Sequence, residues 1–193
     1  MITHIKGRLV EKNPTEVVID CNGVGYFINI SLHTFSKIPD AENLSLFTHL
    51  IVKEDSHTLF GFVEKSERTI FRLLLSVSGV GASTARTMLS SMSPEMVRDA
   101  IAAGDVASIQ AVKGIGAKTA QRVILDLKDK VLKVFDIDEI SPFESNTNKD
   151  EALSALEVLG FTRKSSEKVV DQLLKETPEL AVEDIIKGAL KKL

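Results

Sequence analysis

One short phrase occurs twice in the chain. Gly79-Val80-Gly81-Ala82-Ser83-Thr84-Ala85 returns as Gly114-Ile115-Gly116-Ala117-Lys118-Thr119-Ala120, offset by 35 residues at every position. An apolar approach precedes each copy, Leu73 to Val77 in the first and Ile109 to Val112 in the second. Each copy also opens a segment of helical period, carried by Ala85, Met88 and Leu89 and then by Ala120, Val123, Ile124 and Leu127. Apolar helix, Gly-x-Gly turn and helix, repeated once, is the pattern of a tandem helix-hairpin-helix unit.

The glycines have a physical purpose at such a turn. The backbone must take positive φ and let a ligand come close, which glycine does without a Cβ clash. The helix that follows begins at once, so its first N–H groups are unpaired and sit at the positive end of the helix dipole. An anion, and a phosphate above all, fits there. Lys118 and Arg122 lie four apart, on one helix face beside the second turn. Such a hairpin holds a phosphate without reading a base, and so gives affinity and position. The candidate phosphate-binding residues are Gly79, Val80, Gly81, Ser83, Thr84 and Arg86 in the first copy. In the second they are Gly114, Ile115, Gly116, Lys118, Thr119 and Arg122. The copies are unequal, because Ser83 stands where the second has Lys118 and Thr87 where it has Arg122. The first is therefore expected to rely more on amides and hydroxyls. The alternative is a pair of helix–helix turns with glycine chosen only for tightness. A nucleotide P-loop is excluded, since Ala117 precedes Lys118-Thr119 and Val112 occupies the earlier glycine position.

Net charge over the 193 residues is −3, which taken alone argues against a nucleic-acid partner. Its distribution argues the other way. Residues 1–63 carry 5 basic and 7 acidic side chains, residues 64–135 carry 11 and 7, and residues 136–193 carry 8 and 13. The positive charge is concentrated around the twin phrase, as a nucleic-acid-binding face requires. One cysteine, Cys21, leaves no internal disulfide framework and no cysteine-rich zinc site. The start Met1-Ile2-Thr3-His4 does not open a signal peptide, and no apolar run reaches spanning length, so a cytoplasmic protein is the simplest reading.

Residues 1–63 read as five short strands, with turn signals at Asn13-Pro14 and Asn22-Gly23, a break from Leu32 to Ile38, and final strands over Leu44 to Val52 and His57 to Val63. Five strands in that length suggest a small barrel. Periodicity does not distinguish an oligonucleotide-binding barrel from another kind. The turn Lys53-Glu54-Asp55-Ser56 joins the last two strands, and two adjacent acids at a hairpin tip are ordinarily just solvated. Residues 64–135 are helical. Ser66 is a candidate cap with Glu67 in the first turn, Ser93-Pro94 starts a helix that stops at Gly104, and Asp105 caps the next. The last helix of this domain is expected from about Ala117 to Leu132. Residues 136–149 are polar and breaker-rich and read as a flexible linker. Residues 150–193 form three short amphipathic helices, Glu151–Leu159, Ser165–Lys175 and Val182–Leu190, a module suited to docking rather than catalysis. The whole is an α+β multidomain chain.

These parts in this order resemble the RuvA family of bacterial Holliday-junction-recognition proteins, over nearly the whole length. The most specific stretches are Gly23-Val24-Gly25-Tyr26, Val52-Lys53-Glu54-Asp55 with Leu59-Phe60-Gly61-Phe62, Ser78 to Ala82, Gly114 to Arg122, and Leu156 to Phe161. The linker matches least. The resemblance implies an oligonucleotide-binding-like barrel, a tandem helix-hairpin-helix domain and a mobile C-terminal domain. It further implies a homotetramer, or two face-to-face tetramers, that holds four-way junction DNA open and square and recruits the RuvB hexameric ATPase, with the RuvC resolvase a further partner. Glu54 and Asp55 then match an acidic pin at the junction centre, and Leu156, Leu159, Phe161 and Leu190 match positions that contact the motor. No cofactor and no metal are implied. Ser83 departs from the lysine that many relatives carry there.

Helix-hairpin-helix units also occur in glycosylases and nucleases, so an enzyme acting on DNA is the competing class. The four histidines, His4, His33, His49 and His57, all lie in the β region without metal-ligand spacing. Asp126 follows the second hairpin, but the barrel and tether do not suit a glycosylase. A scaffold that binds only protein is the third class, and it predicts no salt-dependent DNA binding.

Overall fold

The structure is a computed structural model that describes residues 1–139, 147–177 and 180–193. It divides into two compact units, 1–139 and 140–193.

The first unit begins with five strands: β1 (His4–Asn13), β2 (Glu16–Cys21), β3 (Val24–Ile30), β4 (Asn43–Val52) and β5 (His57–Phe62). They close in the order β1-β2-β3-β5-β4, all neighbours antiparallel except β3 and β5. This closed order is that of an oligonucleotide-binding-type barrel, which strand periodicity alone leaves open. Asn22 and Gly23 both take positive φ, 53° and 91°, so the turn between β2 and β3 follows the right-handed twist of its strands. The Asp20 carboxylate accepts from the Gly23 amide at 2.8 Å and holds it.

A parallel pair needs a crossover, and part of that crossover is a helix the periodicity does not reveal. The stretch expected as a break is α1 (Leu32–Lys37), capped by Ser31, whose hydroxyl accepts from the Thr34 amide. Six residues are too few for an apolar stripe to declare itself.

Alternation along the strands divides the barrel's side chains between two cores. Val17, Ile19, Ile28, Ile30, Leu44, Leu46 and Leu59 fill the interior. Phe60 and Phe62 flank Gly61 and point outward, into the helical core with Ile70, Phe71 and Leu74 of α2 (Lys65–Leu75). The Phe71 ring lies 5.0 Å from each of those two rings. The barrel and the hairpin helices thus share a core, which explains why they form one unit.

Glu64, not Ser66, occupies the cap position of α2, and it makes no side-chain cap bond. Its carboxylate is held by Lys37 at 2.7 Å, with His33 at 3.5 Å. Those partners, Lys37 first, keep the Glu64 carboxyl below its ordinary range. Glu67 is fully buried, accepting from the hydroxyls of Ser31 and of Thr34, the latter at 2.6 Å. Both hydroxyls also accept backbone amides, from Thr34 and Val63. Their protons are therefore turned to the carboxylate, and α1 is tied to α2. Burial pushes the Glu67 carboxyl up, and the two hydroxyl bonds oppose that.

Four more helices complete the unit: α3 (Ala82–Ser91), α4 (Pro94–Ala103), α5 (Val106–Gln110) and α6 (Ala117–Glu139). Ser93 caps α4 with Pro94 at its first position, Gly104 ends it at φ 75°, and Asp105 caps α5. α6 runs seven residues beyond the expected Leu132. The second unit holds α7 (Thr147–Val158), α8 (Arg163–Glu176) and α9 (Val182–Leu190). Helical backbone therefore takes up both ends of the stretch read as a linker, and its middle, 140–146, lies outside the described residues. The expected break at Thr177-Pro178 is outside them at Pro178. Ala152, Leu153, Leu156, Val170, Ile185 and Ala189 form the core of the module. Gly160 at φ 98° ends α7, and the Phe161 amide reaches back to the Leu156 carbonyl at 3.0 Å.

Candidate nucleic-acid interface

The twin phrases fold alike. Val80 N–H donates to the Val77 carbonyl at 3.0 Å, and Ile115 N–H to the Val112 carbonyl at 3.1 Å. Gly79 and Gly114 take φ of 94° and 91°, where any side chain would be strained. The middle residues, Val80 and Ile115, are buried in the helical core. Their position in the phrase places both among the candidate phosphate ligands. Their side chains instead anchor the turn from below, and the amides of both are used in closing it.

Past each turn a helix starts without a side-chain cap. Gly81 precedes α3, and its carbonyl accepts from Ala85 N–H at 2.9 Å. Gly116 precedes α6 in the same way, accepting from Ala120 N–H at 2.9 Å. The amides of Ala82, Ser83 and Thr84, and of Ala117, Lys118 and Thr119, precede the first helical bond of their helix. These are the orphan donors of a helix start. Gly81, Ser83, Gly116 and Lys118 are exposed there, while Thr84 and Thr119 are half-buried. Two clusters of outward donors at positive helix ends make a pair of anion seats.

The seats differ in their side chains. Lys118 is exposed beside the second. Lys113, also exposed, stands directly before Gly114. Sequence reasoning passes over it, although the 35-residue offset pairs it with the turn residue Ser78. Arg122 reaches across the repeat, donating from Nη1 to the Ser78 carbonyl of the first turn at 3.3 Å. Gly79 faces Thr119, so that a Cβ there would lie 3.8 Å from the threonine hydroxyl. The first turn therefore abuts the start of the helix behind the second. The first phrase has Ser78 and Ser83 where the second has Lys113 and Lys118. Thr87 returns its hydroxyl to the Ser83 carbonyl at 2.9 Å, and Arg86 points to the barrel rather than outward.

The acidic pair lies at the tip between β4 and β5. Lys53 N–H donates to the Ser56 carbonyl at 2.8 Å and closes the turn, leaving Glu54 and Asp55 as its two central, exposed residues. Val52 pairs with His57 at its base. In the second unit, Leu159 and Leu190 are 57% and 44% exposed. Phe161 is half-buried against the module core. Leu156 is fully buried in that core, so its side chain serves packing, and a partner would meet it only through its neighbours.

A closed five-stranded barrel joined to two helix-hairpin-helix turns defines a class of proteins that present duplicated uncapped helix starts at the surface. Comparison with known proteins narrows the class. Residues 1–61 match the family model described as RuvA N terminal domain, 71–129 a SAM-like helix-hairpin-helix tandem, and 147–193 the RuvA C-terminal domain. A protein of Christiangramia forsetii is 72% identical over 193 residues, covering all of both chains. One of Flavobacterium psychrophilum is 65% identical with the same full coverage. One of Bacteroides thetaiotaomicron is 45% identical, again over all of both chains. Each carries the name Holliday junction branch migration complex subunit RuvA. The chain belongs to the RuvA family.

Proposed function

We propose that this chain is a non-catalytic subunit that binds four-way junction DNA by shape and recruits a motor for branch migration in recombination and DNA repair. The observation that supports this best is the pair of alike turns, each delivering uncapped helix amides to the surface, with the first packed against the helix start behind the second. Such seats take phosphates at fixed spacing and ignore base identity. The relatives' shared name is that of a Holliday junction branch migration complex subunit, which favours the same reading.

In this proposal four copies surround a fourfold axis. Their hairpins hold the outer arms through Gly79, Gly81, Ser83 and Thr84 and through Gly114, Gly116, Lys118, Thr119 and Arg122. Their Glu54 and Asp55 tips meet at the centre and repel phosphates, keeping strands apart where they exchange partners. Like charges at close range in a confined centre exert strong directing force, which salt weakens. The C-terminal module presents Leu159, Leu190 and Phe161 to the RuvB ATPase. RuvC is a further partner, and the complex works in the cytoplasm. Among the described residues no helix is long and apolar enough to cross a membrane.

Band shifts with a four-way junction and a linear duplex of the same sequences, across a salt series, test the proposal. A junction preference that persists as salt rises is expected. Equal binding to both, vanishing together, would reduce the hairpins to a generic grip and remove the pin. Deleting residues 150–193 is expected to leave junction binding intact and abolish stimulation of the motor. Loss of junction binding on that deletion would contradict the assignment of roles.

A further inference from the structure

Arg86 lies four residues past Ala82, the first residue of the helix behind the first hairpin, and its position along the chain suggests a phosphate ligand. Its side chain goes elsewhere. Nη1 donates to Asn29 Oδ1 of β3 at 2.9 Å and to the Thr15 carbonyl, in the turn between β1 and β2, at 3.3 Å. Asn29 then donates from Nδ2 to the Leu59 carbonyl of β5 at 3.3 Å. Only one orientation of the Asn29 amide satisfies both bonds, because a flip would set donor against donor at Arg86. β5 is the strand that descends from the Glu54-Asp55 tip. A second tie lies one turn further along α3, where the Leu32 amide donates to Ser90 Oγ at 3.1 Å. A chain of hydrogen bonds thus runs from the first hairpin's helix, through Arg86 and Asn29, to the strand that carries the acidic tip.

We infer that Arg86 is a positioning residue, acting through Asn29 to set the place of the first hairpin relative to the Glu54-Asp55 tip. The inference rests on the reading of hairpins and tip as one junction-binding surface. A duplex needs only the hairpins. A junction must meet hairpins and tip together, so their separation has to be set before binding. Both bonds leave from Nη1, whose two N–H groups are held in the rigid guanidinium plane, whereas a lysine ammonium turns freely on a flexible stem. Loosening the strut therefore lowers junction affinity and leaves duplex affinity in place.

Two measurements test this on the full chain, and one needs no DNA. Spin labels at Ser56→Cys beside the tip and Ser91→Cys on α3, in a Cys21→Ser background diluted with unlabelled protein, report the separation directly. A narrow distance distribution is expected, broadened by Arg86→Ala and by Asn29→Ala and partly restored in Arg86→Lys. Distributions unchanged in both alanine variants would overturn the inference. The other measurement is junction and duplex affinity against salt. Loss of a charge-assisted bond is expected to lower the junction-to-duplex ratio about tenfold in either variant. The duplex salt slope should not move. A slope reduced by about 0.9 in Arg86→Ala but not in Asn29→Ala would make Arg86 a phosphate ligand after all, and also overturns the strut. If the unaltered protein shows no junction preference, the function proposed above fails, and the label distances alone decide the strut.

Discussion

The first and second hairpins close with the same backbone bonds, at 3.0 and 3.1 Å, yet their polar side chains go to different places. The second carries exposed Lys113 and Lys118 beside its seat and sends Arg122 across to the first turn. The first has Ser83 in place of lysine, folds the Thr87 hydroxyl onto its own helix, and turns Arg86 into the barrel. A duplicated backbone therefore need not mean duplicated chemistry. Amides at a helix start suffice to seat a phosphate. Where such a seat holds a nucleic-acid phosphate, cationic side chains beside it add counterion release to the affinity. Arg86 of the first hairpin's helix bonds to the barrel, whereas Lys113 and Lys118 of the second stand exposed.

Valine at each turn glycine makes the largest break. No heavy atom lies within 4 Å of a Cβ on Gly114, and at Gly79 the nearest is Thr119 Oγ1 at an ordinary 3.8 Å. The cost in each case is the positive φ, about 1–2 kcal/mol. Gly79→Val and Gly114→Val are thus expected to lower thermal stability equally, while Gly114→Val weakens junction binding more because it displaces the seat with the lysines. Equal losses of binding would erase the distinction between the hairpins. A finer test exchanges the charge. Lys118→Ala should reduce the slope of log affinity against log salt by about 0.9 per subunit, and Ser83→Lys should raise it by a similar amount. Slopes that do not move would remove these positions from the phosphate contacts.

Local chemistry decides which features the sequence made legible. Asn22-Gly23, Ser93-Pro94, Gly104 and Asp105 act through bonds three or four residues away, and all four stand in the structure where their residue types put them. The repeat was legible because both copies must satisfy the same backbone constraint. Features that depend on distant partners were not. Arg86 finds Asn29 across 57 residues, Glu67 finds Ser31 and Thr34 across 36 and 33, and no local pattern announces either. Helix α1 was hidden by its length, and Phe60 and Phe62 show only in the fold that they serve a second core. Leu156 matched a partner-binding position by resemblance, but burial in a small module claims its side chain first.

The smallest expected effect concerns the caps that flank the hairpins. Neutral Ser93 caps α4, after the first hairpin, whereas the Asp105 carboxylate caps α5, which leads into the second. The Ser108 hydroxyl, and then its amide at 3.1 Å, hold the Asp105 carboxyl below its ordinary range. A carboxyl depressed in the folded state adds stability above its unfolded pKa, and that stability is lost as pH falls through the folded value. Acid should therefore loosen the entry to the second hairpin by protonating this cap. Amide exchange at Ser108 and its neighbours, followed from neutral pH down through the carboxylate range, is expected to lose protection relative to Ala85 behind the first hairpin, whose amide is held by the Gly81 carbonyl at 2.9 Å. Asp105→Asn keeps an accepting oxygen without a titratable proton, and should flatten the difference. If the difference survives that substitution, the acid sensitivity belongs to another carboxylate, and the two caps do not distinguish the hairpins.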